Sequence, residues 1–147
     1  MDDYILRMNH AGIRYLLLGG QAMRLEGMPR FSMDWDFFIP PKDAANFAKI
    51  NAELADLLDV SLEPLGPRGE GFVQTYQTPL GVIQFHLVPP GLPKFDEAEQ
   101  RMVIHKTASG TPVHCLSPAD LLASKKATGR DKDTDDIEFL KIKLNKN

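Results

Sequence analysis

Apolar residues fall along this chain in short bursts of two different periods, and the switches between them mark out the elements. Residues 3–10 offer Ile5, Leu6 and Met8 as a modest apolar face, which predicts a short helix. Residues 13–18 are almost wholly apolar and stop at Gly19-Gly20, the pattern of a strand covered on both faces. Good helix formers occupy 21–26, and Gly27 with Pro29 ends that segment. Residues 33–39 then alternate, with Trp35, Phe37 and Ile39 on one face of a strand and Asp34, Asp36 and Phe38 on the other. From 42 to 58 the apolar positions Phe47, Ile50, Leu54, Leu57 and Leu58 recur at threes and fours, an amphipathic helix.

A loop rich in glycine and proline around Pro64 to Gly69 leads into a predicted hairpin, residues 72–77 and 80–88, turning near Thr78-Pro79. In its second arm Ile83, Phe85 and Leu87 share one face, Gln84 and His86 the other. Pro89-Pro90-Gly91 ends the sheet on that side. Residues 97–106 read as helical and 111–116 as a short strand. Ser117-Pro118-Ala119-Asp120 is a helix start, with a serine cap and proline at the first turn; the helix runs to Thr128, and Gly129 closes it. A last helix over 132–144 buries Ile137, Leu140 and Leu144. The order predicts one α+β, or mixed α/β, domain over 1–147 with a partly antiparallel sheet.

Composition adds bounds. The chain has 147 residues, enough for a single self-sufficient core, with 43% hydrophobic and 25% charged positions. A net charge of −3 gives no long-range pull toward nucleic acid, so any RNA contact needs a local basic patch. One cysteine, Cys115, excludes an intramolecular disulfide framework and suits a reducing cytoplasm. The opening Met1-Asp2-Asp3 has neither a basic nor an apolar leader region, and no apolar run is long enough to span a bilayer. A cytoplasmic protein without a membrane segment is the expectation.

The chemistry concentrates early. Asp34 and Asp36, two apart on a strand, leave the same face, and like charges that close are stable together only with a cation between them. Mg²⁺ fits such a pair because it takes one or two carboxylates plus phosphate oxygens. The plain alternative is two acids on the solvent face of an edge strand. Gly19-Gly20 at a strand end lets backbone N–H groups approach phosphates, while Arg30 and Ser32 supply a donor fork and a hydroxyl shortly before the acids.

Taken in that order, Gly19-Gly20, Arg30, Ser32, Asp34 and Asp36 resemble the signature of the polymerase-beta-like nucleotidyltransferase superfamily: strand, Gly-Gly, short helix, then Asp-x-Asp on the next strand. Ser117-Pro118-Ala119-Asp120-Leu121-Leu122-Ala123-Ser124-Lys125, with Arg130-Asp131-Lys132-Asp133 and Asp136-Ile137, resembles the C-terminal helix pair of small bacterial members, type IV abortive-infection toxins among them. The resemblance implies a nucleotidyltransferase fold, a mixed sheet flanked by helices with a C-terminal helical hairpin. It implies transfer of a nucleotidyl group from an NTP to a hydroxyl acceptor (small molecule, RNA or protein) with release of pyrophosphate. Gly19 and Gly20 would hold phosphates, Asp34 and Asp36 the catalytic Mg²⁺ or Mn²⁺, and Lys125 and Arg130 would face the nucleotide, with Asp133 and Asp136 anchoring that basic segment. A solvated, salt-bridged hairpin is the alternative for the last group. A cognate partner protein, as in a toxin–antitoxin pair, is implied as well.

One position departs from the pattern. Where the superfamily places a third carboxylate, on the strand over 81–88, this chain has His86, facing the same side as the proposed site. His86 can act as general base or Mn²⁺ ligand, Glu70 can supply the acid, or catalysis is lost and only nucleotide or protein binding remains. His10, His105 and His114-Cys115 lack the partners of a zinc site.

Overall fold

A computed structural model describes residues 3–79 and 81–145. Met1 and Asp2, read above for a leader, and Leu80, assigned to the second hairpin arm, lie outside the described residues. The order is α1 (Asp3–His10), β1 (Leu16–Leu18), α2 (Gly19–Leu25), β2 (Trp35–Phe38), α3 (Ala44–Glu53), β3 (Val73–Thr78), β4 (Gly81–His86), α4 (Phe95–Gln100), β5 (Val103–Lys106), β6 (Pro112–Cys115), α5 (Pro118–Thr128) and α6 (Thr134–Asn145). A 3-10 turn, Asp131–Asp133, precedes α6.

The strands form one six-stranded mixed sheet in the order β3-β4-β2-β1-β6-β5. Both outer pairs are antiparallel hairpins, β3 with β4 and β5 with β6. Between them β1 runs antiparallel to β2 and parallel to β6, and β2 runs parallel to β4. The central strands are short but fully covered: Leu16 and Leu17 are buried, as the unbroken apolar run predicts. Alternation in β2 and β4 sends Phe37, Ile83 and Phe85 into an aromatic core. There Tyr15 meets Phe37 edge-on at 5.6 Å and Phe37 stacks on Phe85 at 5.9 Å. On that face Tyr4 of α1 closes edge-on over Trp35.

Helix boundaries follow local chemistry. Ser117 accepts a hydrogen bond from the Asp120 N–H at 3.1 Å, and Gly129 ends α5 at φ +60°. Asp43 caps α3 by accepting from the Asn46 N–H at 3.1 Å. The regular helix stops at Glu53, while Leu54 and Leu58 continue the buried stripe from the following turns.

Three expectations need correction. Residues 97–106 are not one helix: α4 ends at Gln100, and Val103–Lys106 is an edge strand paired with β6. The β-branched pair Val103-Ile104 and the turn residues Thr107 to Gly110 outweigh the helix formers before them. The short helix expected over 21–26 begins two residues earlier, at Gly19, and ends at Leu25. In α6 only Leu140 of the three expected residues is fully buried. Ile137 and Leu144 are half-buried, and the inward positions go to Asp136 of α6 and Asp133 of the preceding 3-10 turn, at 2% exposure each.

Candidate active site

Strand register sets the site. Leu18, the last residue of β1, lies opposite Asp36 on β2, so Gly19 emerges directly beside that carboxylate. A Cβ on Gly19 would lie 2.5 Å from Asp36 Oδ2, and the residue's φ of +73° already favours glycine. A Cβ on Gly20 would come within 2.7 Å of Ser32 Oγ. The two glycines are thus required by side chains resting on their backbone, one of them the acid of the candidate site.

The parallel pairing of β2 with β4 places Gln84 opposite Asp36 and His86 opposite Phe38. His86 leans back along its strand, and Nε2 lies 2.9 Å from Asp36 Oδ1, both side chains being mostly buried. An ionised carboxylate only accepts, so Nε2 carries the proton of this bond, and in the neutral ring Nδ1 is left as an acceptor. The carboxylate thus fixes the tautomer and the orientation of the ring.

Asp34 is placed differently. The strand begins one residue after it, at Trp35; Asp34 is exposed, and its backbone carbonyl accepts from Ser32 Oγ at 3.4 Å. Glu70 does not reach the site. Its Oε2 accepts from the Arg68 N–H at 3.1 Å within its own exposed turn.

The cationic side comes from the helical hairpin. Lys125 on α5 is buried between two carboxylates, 3.1 Å from Asp133 Oδ1 and 2.9 Å from Asp136 Oδ2. Arg130 reaches Asp133 Oδ2 at 2.8 Å, and Arg30 reaches Asp136 Oδ2 at 2.5 Å. Three cations on two acids leave this cluster with one net positive charge. Burial opposes ionisation of Asp133, but the hydrogen bonds from Arg130 and Lys125 outweigh it and hold its pKa below the usual carboxylate value. Arg130 is half exposed, so it presents the charge while Lys125 anchors the hairpin.

Gly19, Asp36, His86, Lys125 and Arg130 therefore line one cleft of about 150 Å³, together with Gln84, Ser124 and Thr128. Arg30 and Ser32 lie next to it, against Gly20, and line adjoining hollows with Trp35. Sequence reading missed Gln84, Ser124 and Thr128. Parity with His86 flags Gln84, but nothing in the sequence flags the other two.

The donor set can be tested against a divalent ion. Asp36 keeps Oδ2 outside its bond to His86, and Asp34 is exposed two residues away. Among the described residues no three acids, histidines or cysteines converge to hold a metal unaided. One or two carboxylates completed by substrate oxygens is the usual complement for Mg²⁺, so the residues fit an ion brought in with a phosphate and not a closed protein cage.

The other candidates for chemistry are structural. His105 bonds Glu26 at 2.7 Å, and His114 stacks on Tyr15 at 5.2 Å, with burial lowering its pKa. Among the described residues no helix is long and apolar enough to cross a membrane.

No protein-family model matches the chain, and no curated protein sequence matches it significantly. A solved structure does. A "putative nucleotidyltransferase" from Thermotoga maritima superposes with a TM-score of 0.61 over 96% of this chain and 88% of its own, at 12% sequence identity. At that identity the likeness speaks for the fold alone, and together with the six-stranded mixed sheet and its flanking helices it shows that this chain has a nucleotidyltransferase fold.

Proposed function

We propose that the protein transfers a nucleotidyl group from an NTP to a hydroxyl acceptor. The observation that carries this is the convergence of Asp36, His86 and Arg130 on one cleft beside Gly19. The acceptor oxygen attacks the α-phosphorus, a new P–O bond forms, and the bond to the bridging oxygen breaks to release pyrophosphate. The acceptor's proton passes to Nδ1 of His86, whose ring Asp36 holds in position. Arg130 faces the charge gathering on the leaving phosphates, with Lys125 fixing the hairpin that carries it. Asp34 and Asp36 would hold Mg²⁺ or Mn²⁺, which when bound neutralises charge on the transferring phosphate. The fold neighbour supports the general kind of reaction.

A second reading, nucleotide or protein binding without turnover, is favoured by one feature: an imidazole, not a carboxylate, faces Asp36. Incubation with labelled NTPs, Mg²⁺ or Mn²⁺ and cell extract separates the two. Label should move to an acceptor and be lost in Asp34→Ala and Asp36→Ala proteins. Undiminished transfer in those variants overturns the proposal, and nucleotide binding without transfer selects the second reading.

A further inference from the structure

The cleft around Asp36 is smaller than the roughly 300–1,000 Å³ that encloses a whole small molecule, so the bodies of its ligands must lie outside it. A cavity of about 620 Å³ opens beside it. Pro89 belongs to the walls of both. Its floor is apolar: Phe38 meets Phe95 edge-on at 5.2 Å, flanked by Leu87 and Leu92. Phe38 follows Asp36 by two on the same face of β2, so this floor begins about 7 Å along the strand from the carboxylate.

The rim carries a particular charge. Arg14 is saturated by Asp43 at 3.0 Å, Asp96 at 2.6 Å and Glu99 at 2.9 Å, and it lies 5.0 Å over the Phe95 ring. Lys42 and Lys94, also on the rim, are exposed, and among the described residues neither has an ion-pair partner. One guanidinium on three acids leaves two negative charges on that part of the rim. The local feature that points to a ligand is therefore the pair Lys42 and Lys94, free of ion pairs among the described residues and beside an apolar floor. It suits an amphiphile whose anionic end meets those two ammonium groups.

We propose that this cavity is the acceptor site, holding a small molecule with an apolar or aromatic body. Its hydroxyl reaches the Asp36–His86 couple past Pro89, and a carboxylate or phosphate at its other end meets Lys42 and Lys94. The proposal rests on the transfer reading for the hydroxyl's role, but the pocket's occupancy can be measured without it.

The probe is 3-(4-hydroxyphenyl)propionate, an aromatic acid with its hydroxyl opposite its carboxylate, titrated by calorimetry and offered with labelled NTP and Mg²⁺. A lysine at contact range of an anion in water gives about a fivefold effect, so Lys42→Glu/Lys94→Glu should weaken binding at least tenfold. Leu92→Trp, which fills the cavity, should do the same, with thermal melting confirming that both variants fold. Where transfer is seen, both should raise the KM for the acceptor and leave that for the NTP within about twofold. Absent binding in the wild type, binding indifferent to both variants, or transfer only to RNA ends, proteins or polycationic acceptors overturns the proposal. Phosphate-bearing analogues alongside the carboxylate distinguish the two anionic groups. Binding that responds to the variants without any transfer supports the pocket and counts instead against the transfer reading.

Discussion

Gly19→Ala should destabilise the protein by more than an ordinary glycine substitution at positive φ, and the excess should belong to Asp36. At φ +73° an L-residue costs roughly 1–2 kcal/mol. The new Cβ would also lie 2.5 Å from Asp36 Oδ2 and 3.1 Å from its Cγ, so the carboxylate must swing away and lose its bond to His86, about 1 kcal/mol more. Gly129→Ala is the internal control. Its φ is +60°, and no atom lies within 4 Å of the added Cβ, so it carries the backbone cost alone. The gain from a stiffer unfolded chain is common to both and cancels in their difference. Urea melts should place the Gly19→Ala midpoint about 0.5 M below that of Gly129→Ala, for a slope of about 2 kcal/mol/M. In an Asp36→Ala background the gap should close to about 0.1 M or less, because the bond to His86 is already gone and the two shortest contacts vanish. Equal midpoints in the wild-type background, or a gap that survives Asp36→Ala, would refute the placement of the carboxylate on the glycine.

Other outcomes follow from the hairpin and the core. Asp136→Ala removes a fully buried partner of Lys125 and Arg30 and should cost about 3 kcal/mol in denaturant melts, whereas Arg130→Ala, half exposed, should cost about 1 kcal/mol or less. The lowered pKa values of Asp43 and Asp133 make stability acid-sensitive. Their contribution is complete above the ordinary carboxylate value of 3.8 and is lost as pH falls through the lower folded values, so Tm should drop below about pH 4 and drop less in Asp133→Asn. Burial pushes the Cys115 thiol up to about 12, so iodoacetamide at pH 8 should leave the native protein unlabelled and modify it only once denatured, as mass spectrometry would show.

Much of this was legible because burial follows period. The run ending at Leu18, the alternation through Trp35 and Phe37, and the capped start at Ser117 each state their element directly in residue types. The edge strand Val103–Lys106 was not legible: burial alternates along it, but its outward Ile104 is apolar and its inward His105 polar, so the residue types do not alternate. The inner face of α6 and of the 3-10 turn before it was hidden for a different reason. Asp133 and Asp136 are buried by ion pairs to residues far away or on another helix, which a hydrophobic pattern cannot signal. The carboxylate pair itself was half legible. Spacing joins Asp34 to Asp36, but β2 starts at Trp35, and only Asp36 is held, by a histidine fifty residues on.

In the proposed reaction Asp36 and His86 together form the reacting centre of a nucleotidyl transfer. This is tested by pyrophosphate release from an NTP, followed above background with Mg²⁺ and cell extract as the source of acceptor hydroxyls, in wild type, Asp36→Asn and His86→Gln. Wild type should release pyrophosphate in proportion to the NTP supplied. Asp36→Asn, close in shape to the native side chain, should lower it at least 100-fold, as expected when charge stabilisation at a transferring phosphate is lost, and His86→Gln should lower kcat by a similar factor through loss of the base. Release that survives Asp36→Asn within a few-fold, or a kcat that His86→Gln leaves within about twofold of wild type, would contradict the assignment.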